Sequence, residues 1–522
     1  MTFNQLGLYL QDEWSIRENF KLSAGIRFDL LSFDNDDLMA NNKIDAIDFE
    51  GRHLTTGEWP KSRVQISPRV GFTWDVFHDK SLKVRGGTGL FAGRMPLVFF
   101  TNMPGNTGMS KYQFRSDRSA ARTEVLNSFK GGMVTDATLM RDIIASVDPA
   151  AKTFITPDDG ALPGTIAAVD PDFKMPQVWK SSIAVDYNVP VSFPLSVTGE
   201  FTVTKQLQDV MIENWDIKSD NSQWARMNSA DNRIIYPSDY RINNKDTYVL
   251  TNTTKGYGWT ANVTVNAEPI KNLRAMVSYT HTFNKAVSSL PGSNASSVVN
   301  AIYSVNGPRF ATAQPSGFVI PDRIIGSLTY SLKYDHFTLF YEGYRPTGNT
   351  YYYSNDVNFD GLSNDLIYIP RDDSEIKFAS DNDRYAFWDF VEQDDYLKNH
   401  KGEYAEAFAV HAPFVNRFDF RWAHDFNLKV GKTFHKLQLS ADIQNIGNLF
   451  SSHWGVEKGM STTANGGQIL RLTNGNDVKK GATPIYAFNK NTDGSAITKT
   501  WDYIHSTSQC WRLQVGVKYF FN

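Results

Sequence analysis

The sequence predicts an all-β fold: an antiparallel transmembrane β-barrel with long extracellular loops. Three observations predict it. About thirteen segments alternate apolar and polar residues with period two. Short and long connections between these segments alternate along the whole chain. No apolar run approaches the ~20 residues of a membrane helix; the longest obvious one is Met95 to Phe100, and mean hydropathy is −0.39. Barrel strands escape a hydropathy scan because only every second residue meets lipid.

The segments fall at about 5–14, 20–33, 63–77, 82–94, 178–189, 194–212, 246–267, 272–284, 322–334, 336–346, 414–427, 436–448 and 510–521. Most are near the ~9–11 residues of a tilted membrane strand. From Phe20 to Leu30 one face is Phe20, Leu22, Ala24, Ile26, Phe28 and Leu30, and the other Lys21, Ser23, Gly25, Arg27 and Asp29. From Ile66 to Val76 the apolar face is Ile66, Pro68, Val70, Phe72, Trp74 and Val76. Phe418, Phe420, Trp422 and Phe426 form another, interrupted by His424. Trp511, Leu513, Val515, Val517, Tyr519 and Phe521 form the last. One such strand suits the edge of a soluble sandwich; the repetition favours a barrel.

Short links lie at Ser15–Asn19, His78–Ser81, Val189–Phe193, Glu268–Lys271, near Asp335 and at Asn427–His435. Long ones lie at about 35–62, 95–177, 213–245, 285–321, 347–413 and 449–509. A membrane barrel carries tight turns on one rim and long loops on the other. A compact soluble domain rarely holds six long loops. Trp14, Trp74, Tyr187 and Tyr519 sit near short-turn ends, and Trp179 and Tyr344 near long-loop ends, as interfacial girdles would.

Composition agrees. Aromatics reach 13%, with 36 Gly and 21 Pro, the usage of a strand- and turn-rich chain. A net charge of −3 gives no support to a nucleic-acid partner. Cys510 alone excludes a disulfide framework. Met1 to Trp14 carries no signal-peptide pattern.

Several runs then become familiar. Leu8-Tyr9-Leu10-Gln11-Asp12-Glu13-Trp14 followed by Leu22-Ser23-Ala24-Gly25-Ile26-Arg27-Phe28-Asp29 resembles the mid-barrel hairpin of TonB-dependent outer-membrane receptors. Arg69-Val70-Gly71-Phe72 and Asp442-Ile443-Gln444-Asn445-Ile446-Gly447-Asn448-Leu449-Phe450 are similar to strands of that family. Pro176-Gln177-Val178-Trp179 and His453-Trp454-Gly455 look like its Oar-like branch. The resemblance implies a 22-stranded barrel, an internal plug and an N-terminal segment that contacts TonB. Residues 1–522 then read as the C-terminal part of the β-barrel, about 13 strands starting near the tenth. The plug domain is expected to be absent, with TonB reached only through a missing N-terminal part, so that the chain alone does not perform energised uptake. The ending, Gln514-x-Gly516-x-x-Tyr519-x-Phe521, is similar to the C-terminal assembly signal of outer-membrane barrels. The implied partners are outer-membrane lipid, the barrel assembly machinery and an unidentified ligand.

Asp356-x-Asn358-x-Asp360-Gly361, with Asn364-Asp365 just after, resembles the start of a Ca²⁺ loop. Position twelve is Ile367, so the bidentate carboxylate is missing unless Asp365 replaces it. The competing reading is an Asx-rich turn. No other cofactor is implied. Gly431-Lys432-Thr433 lacks the upstream glycine of a phosphate loop and reads as a turn. Asp372, Asp373, Asp394 and Asp395 read as solvated acidic loop rather than a glycosidase pair. Tyr351, Tyr352 and Tyr353 either stack on a sugar or, as preferred, fill a loop core.

Function therefore reads as a TonB-dependent outer-membrane receptor for an unidentified nutrient, not an enzyme. The alternatives are a soluble or surface-exposed glycan-active β enzyme and a plugless passive porin. Dependence on detergent separates the barrels from the soluble enzyme.

Overall fold

The computed structural model describes residues 2–109, 123, 127, 137–147, 155–460, 466–491 and 493–521. Thirteen strands stand side by side in chain order: β1 (Phe3–Arg17), β2 (Phe20–Phe33), β3 (Arg63–Asp75), β4 (Leu82–Ala92), β5 (Gln177–Asn188), β6 (Leu195–Asn214), β7 (Tyr257–Ile270), β8 (Leu273–Ala286), β9 (Asp322–Ser331), β10 (Asp335–Tyr344), β11 (Val415–Val430), β12 (Thr433–Gln444) and β13 (Arg512–Phe521). Each pairs antiparallel with the next. Links 18–19, 76–81, 189–194, 271–272, 332–334 and 431–432 are short; 34–62, 93–176, 215–256, 287–321, 345–414 and 445–511 are long. The alternation expected from the sequence holds throughout. Among the described residues β1 and β13 have one strand neighbour each, so the sheet is open there.

Register turns the sequence pattern into two surfaces. Leu22 lies opposite Phe72, Phe72 opposite Gly86, Gly86 opposite Ile183, and Ile183 opposite Phe201. This row faces outward, with Ile183 51% exposed. A Cβ on Gly86 would lie 3.0 Å from the Phe72 ring, so glycine makes room for that ring to lie across the sheet. The next row faces inward and is polar. Arg85 bonds Asp186 and Glu200, each at 3.1 Å. Further round, Asn262 donates to Ser278 and Thr280, Arg421 meets Asp442 at 2.9 Å, and Asp425 holds Lys436, His336 and Gln438. His424, the interruption on an apolar face, sits by a short turn and bonds Asp335 at 2.8 Å.

The structure corrects several boundaries. The segment expected at 246–267 is two strands, broken around Lys255-Gly256. Asp246–Thr253 pairs with the far half of β6 and runs parallel to Thr165–Val169, above the wall; β7 starts at Tyr257. The Asn427–His435 turn tightens to Gly431-Lys432, where Gly431 takes φ +63° and both strands extend to meet it. Trp14, Trp74, Tyr187, Tyr519 and Trp179 are exposed on the outer surface as expected. Tyr344 is not a girdle residue. It falls on the inward row of β10, is 8% exposed and donates its hydroxyl to Glu457.

The four residues expected to form an assembly signal lie on β13. Tyr519 and Phe521 belong to the outward row with Leu513, Val515 and Val517, and their rings stack at 5.7 Å. Gln514 and Gly516 face inward opposite Asp442 and Ser440, and a Cβ on Gly516 would meet Ser440 Oγ at 2.9 Å.

The two faces predict opposite mutational outcomes. Ile183→Arg puts a guanidinium into lipid and should cost roughly 2–4 kcal/mol near the midplane. Ser182→Asp, on the polar face in a pocket shared with Arg85, should fold normally. Heat-modifiable gel migration checks both; equal loss, or none, would contradict the assigned faces. In the same assay Gly516→Leu should reduce the folded fraction.

Candidate functional site

The long loops fold into a cap with its own cores. One is built on Phe33, Trp59, Phe100 and Phe173, whose rings meet at 5.1–6.2 Å, with Ile44, Val249 and Val298 from three different loops. The other holds Tyr351, Tyr353, Ile367, Phe387, Phe390 and Tyr486. The 215–256 loop feeds both, through Trp215 in the first and Met227 and Ile235 in the second. Tyr351 and Tyr353 are thus core fillers, 0% and 1% exposed, rather than a sugar platform.

At the centre of the second core lies Arg233, fully buried. It bonds Asp231 at 2.9 Å, stands 3.5 Å from Asp365 and donates to the Leu366 carbonyl at 2.7 Å. Its guanidinium lies over the rings of Tyr353 and Tyr404, at 4.9 and 5.8 Å. Both tyrosines donate their hydroxyls to Asp231 at 3.1 Å. Burial works against the charge, but Asp231, Tyr353 and Asp365 outweigh it and hold Arg233 firmly protonated. A lone Asp-Asn-Arg in a loop gives no periodic signal, and the sequence reading missed this network.

The four candidate calcium residues do come together beside it. Their oxygens serve the loop's own backbone first. Asp356 accepts from the N–H groups of Phe359 (2.6 Å) and Gly361 (2.9 Å). Asn358 accepts from Asp360 N, Asp360 from Leu362 N, and Asp365 from Val357 N. Gly361, at φ +93°, closes the turn. Asn358, Asp360 and Asp365 are buried, and Ile367 at position twelve packs in the core. Burial, then the neighbouring Asp356, pushes the Asp360 carboxyl up to about 7. Burial also raises Asp365, with Arg233 pulling the other way. Among the described residues no three His, Cys, Asp or Glu side chains stand together as a metal-holding group.

Asp372, Asp373 and Asp395 are exposed, as the solvated-loop reading expects; Asp394 departs from it. Asp394 is not solvated: it is 2% exposed, caps the helix Asp395–Asn399 by accepting from Tyr396 and Leu397 N–H, and receives the Tyr351 hydroxyl at 2.7 Å. Asp373 accepts from Trp388 and pairs with Arg384, and Asp372 accepts from Ser374 N. None of these pairs is arranged as two free carboxylates facing a cleft.

An outward apolar surface, a polar inner surface, tight turns on one rim and a folded cap on the other define the wall of a membrane-spanning barrel. The description Outer membrane beta barrel domain matches residues 1–349, and the chain belongs to that family, which places it in the bacterial outer membrane. No curated protein matches it. Among solved structures it is similar to the outer membrane transporter YddB from Escherichia coli (11% identity, TM-score 0.43, covering 99% of this chain and 45% of that one). It is also similar to a mutant of the ferric enterobactin receptor PfeA from Pseudomonas aeruginosa (8%, 0.41, 85% and 40%) and to the FrpB iron transporter from Neisseria meningitidis (10%, 0.37, 85% and 41%). The chain spans less than half the length of each of these.

Arg233 is the single substitution expected to open the cap. Arg233→Met strands two buried carboxylates and should destabilise the second core by about 3–5 kcal/mol. Hydrogen exchange in the segments around Tyr353 and Phe387 should speed up while the wall keeps its heat-modifiable migration. Adding Asp231→Leu should recover part of the loss, because an apolar replacement removes a stranded charge. Unchanged exchange in the single variant would show that the network carries little of the cap's stability.

Proposed function

We propose that this chain is the wall and extracellular cap of an outer-membrane receptor that takes up a scarce nutrient with energy from TonB. The observation that carries the reading is the cap: six long loops stitched into two aromatic cores above a polar inner face. A passive pore gains nothing from so much ordered surface at its mouth, whereas a receptor needs a rigid surface to recognise its ligand. The hairpin motif around Gln11-Asp12-Glu13-Trp14, and the Oar-like runs at Pro176–Trp179 and His453–Gly455, support the same reading. Inner-face ions such as Arg85, Arg323 and Arg421 would line the path, each held by a carboxylate. Chemistry on the ligand is not part of this reading. The barrel assembly machinery is the partner proposed to read β13, through Gln514, Gly516, Tyr519 and Phe521.

The test is accumulation of labelled ferric siderophores, cobalamin, peptides and oligosaccharides in the native host. Deleting the gene should abolish uptake of one class, and deleting TonB should abolish the same uptake. Uptake lost with the gene but retained without TonB would favour a passive pore instead.

We also propose that Ca²⁺ orders the loop of Asp356, Asn358, Asp360 and Asp365. Asp360 and Asp365 are both buried carboxylates with raised pKa, Asp365 against Arg233 and Asp360 near Arg241 and the acid Asp356, and a divalent ion would stabilise their negative charge. With position twelve apolar, affinity should fall in the ~10⁻⁴–10⁻³ M range of extracellular modules. Calorimetric titration should give heat that Asp360→Ala removes. Silence at millimolar calcium would leave the loop as a run of Asx turns.

A further inference from the structure

On its outer-rim half the wall has a seam beside β3. The β3–β4 ladder ends at Arg69 opposite Gly89, next to Pro68, which has no N–H to offer. Beyond it the Arg63–Pro68 half of β3 keeps its pairing with β2 but, among the described residues, pairs with no strand on its other side. It faces the segment 173–177 instead. Two glutamine side chains bridge the gap: Gln65 Nε2 donates to the Met175 carbonyl and Gln177 Nε2 to the Ile66 carbonyl, each at 2.8 Å. Between them lies a cleft of about 620 Å³, within the ~300–1,000 Å³ of small-molecule sites.

Its lining comes from both sides of the wall. Val64 and Ile66 are on the outward, lipid-facing row, 55% and 47% exposed. Leu31, Phe33 and Phe173 continue the apolar surface inward to the first cap core. Lys61, Arg63 and Lys174 also line it. Asp172 pairs with Arg63 and, at 3.7 Å, with Lys61, so one acid stands against three bases. An apolar slot continuous with the lipid face, carrying surplus positive charge at its mouth, has the chemistry of an acyl chain below an anionic headgroup.

We propose that this seam binds one anionic, acylated lipid drawn from the surrounding membrane. The acyl chain enters between Val64 and Ile66 toward Phe33 and Phe173, and the headgroup phosphate meets Lys61 and Lys174, while Arg63 on the inward row holds Asp172. The proposal rests on the membrane wall alone and is independent of what the receptor transports.

The experiment is native mass spectrometry of the detergent-purified protein after delipidation and titration with lipid A or with zwitterionic phosphatidylcholine. One lipid A should be retained at collision energies that strip all phosphatidylcholine. Lys61→Glu with Lys174→Glu should lower lipid A retention at least tenfold. Val64→Trp, which fills the slot and leaves the charge, should do the same. Lys432→Glu, on the short-turn rim, should not. Heat-modifiable migration confirms that each variant is folded. Equal retention of the two lipids, or equal retention by the seam variants and the Lys432 control, would overturn the proposal and leave the seam as ordinary lipid-contact surface. Glucosamine phosphate without acyl chains should fail to compete; competition by it would show a phosphate site and not a lipid site.

Discussion

A backbone N–H or C=O facing hydrocarbon without a partner costs several kcal/mol, and no water is there to relieve it. Everything in the wall follows from that. Thirteen strands in antiparallel succession satisfy most of these groups from a neighbour. Where the ladder lapses, at Pro68, the chain substitutes amide side chains for main-chain partners. The same demand applies at the outer sides of β1 and β13, which pair with no second strand among the described residues.

Alternation is the second consequence. With the backbone paired within the sheet, a strand has only its two faces to offer, one to lipid and one to the lumen. Carboxylates and guanidiniums tolerate the lumen face because they pair there: Arg85 with Asp186 and Glu200, Arg421 with Asp442. The cap obeys a different rule. Its polar groups are removed from water by other loops, so charges such as Arg233 persist only with full compensation from carboxylates, carbonyls and rings.

This difference explains what the sequence made legible. Period-two patterning and link lengths are local properties, so strands such as Phe20–Phe33 and Arg63–Asp75 could be read almost to their ends. The merged 246–267 segment shows the limit. Asp246–Thr253 is held by distant partners: Asn214 lies 34 residues from its partner Tyr248, and Thr165 lies 81 from its partner Asp246. Tyr344 was misplaced because an aromatic near a strand end suits either the girdle or the inner rim; parity within β10 decides, and parity depends on the register with β11. The Asp356–Asp365 loop could be located but not its environment, since Arg233 reaches it from another loop. Asp394 looked like one more solvated acid because the hydroxyls that bury it, on Tyr351 and Thr500, come from 43 and 106 residues away.

The stitching of the cap also sets an order of events. Its two cores take residues from loops whose feet stand on different strand pairs, and those feet come within reach only after the strands are zipped. Hairpins such as β1–β2 and β11–β12 join across two-residue turns and close with little entropic cost, whereas contacts such as Met227 with Tyr486 span about half the chain. The wall is therefore the template, and the mouth of the barrel is the last part to acquire shape. Until then the loops are open to any protease at the cell surface. Surface variation is constrained for the same reason: an epitope on this cap belongs to several loops at once, and altering one loop to escape an antibody disturbs the packing of the others.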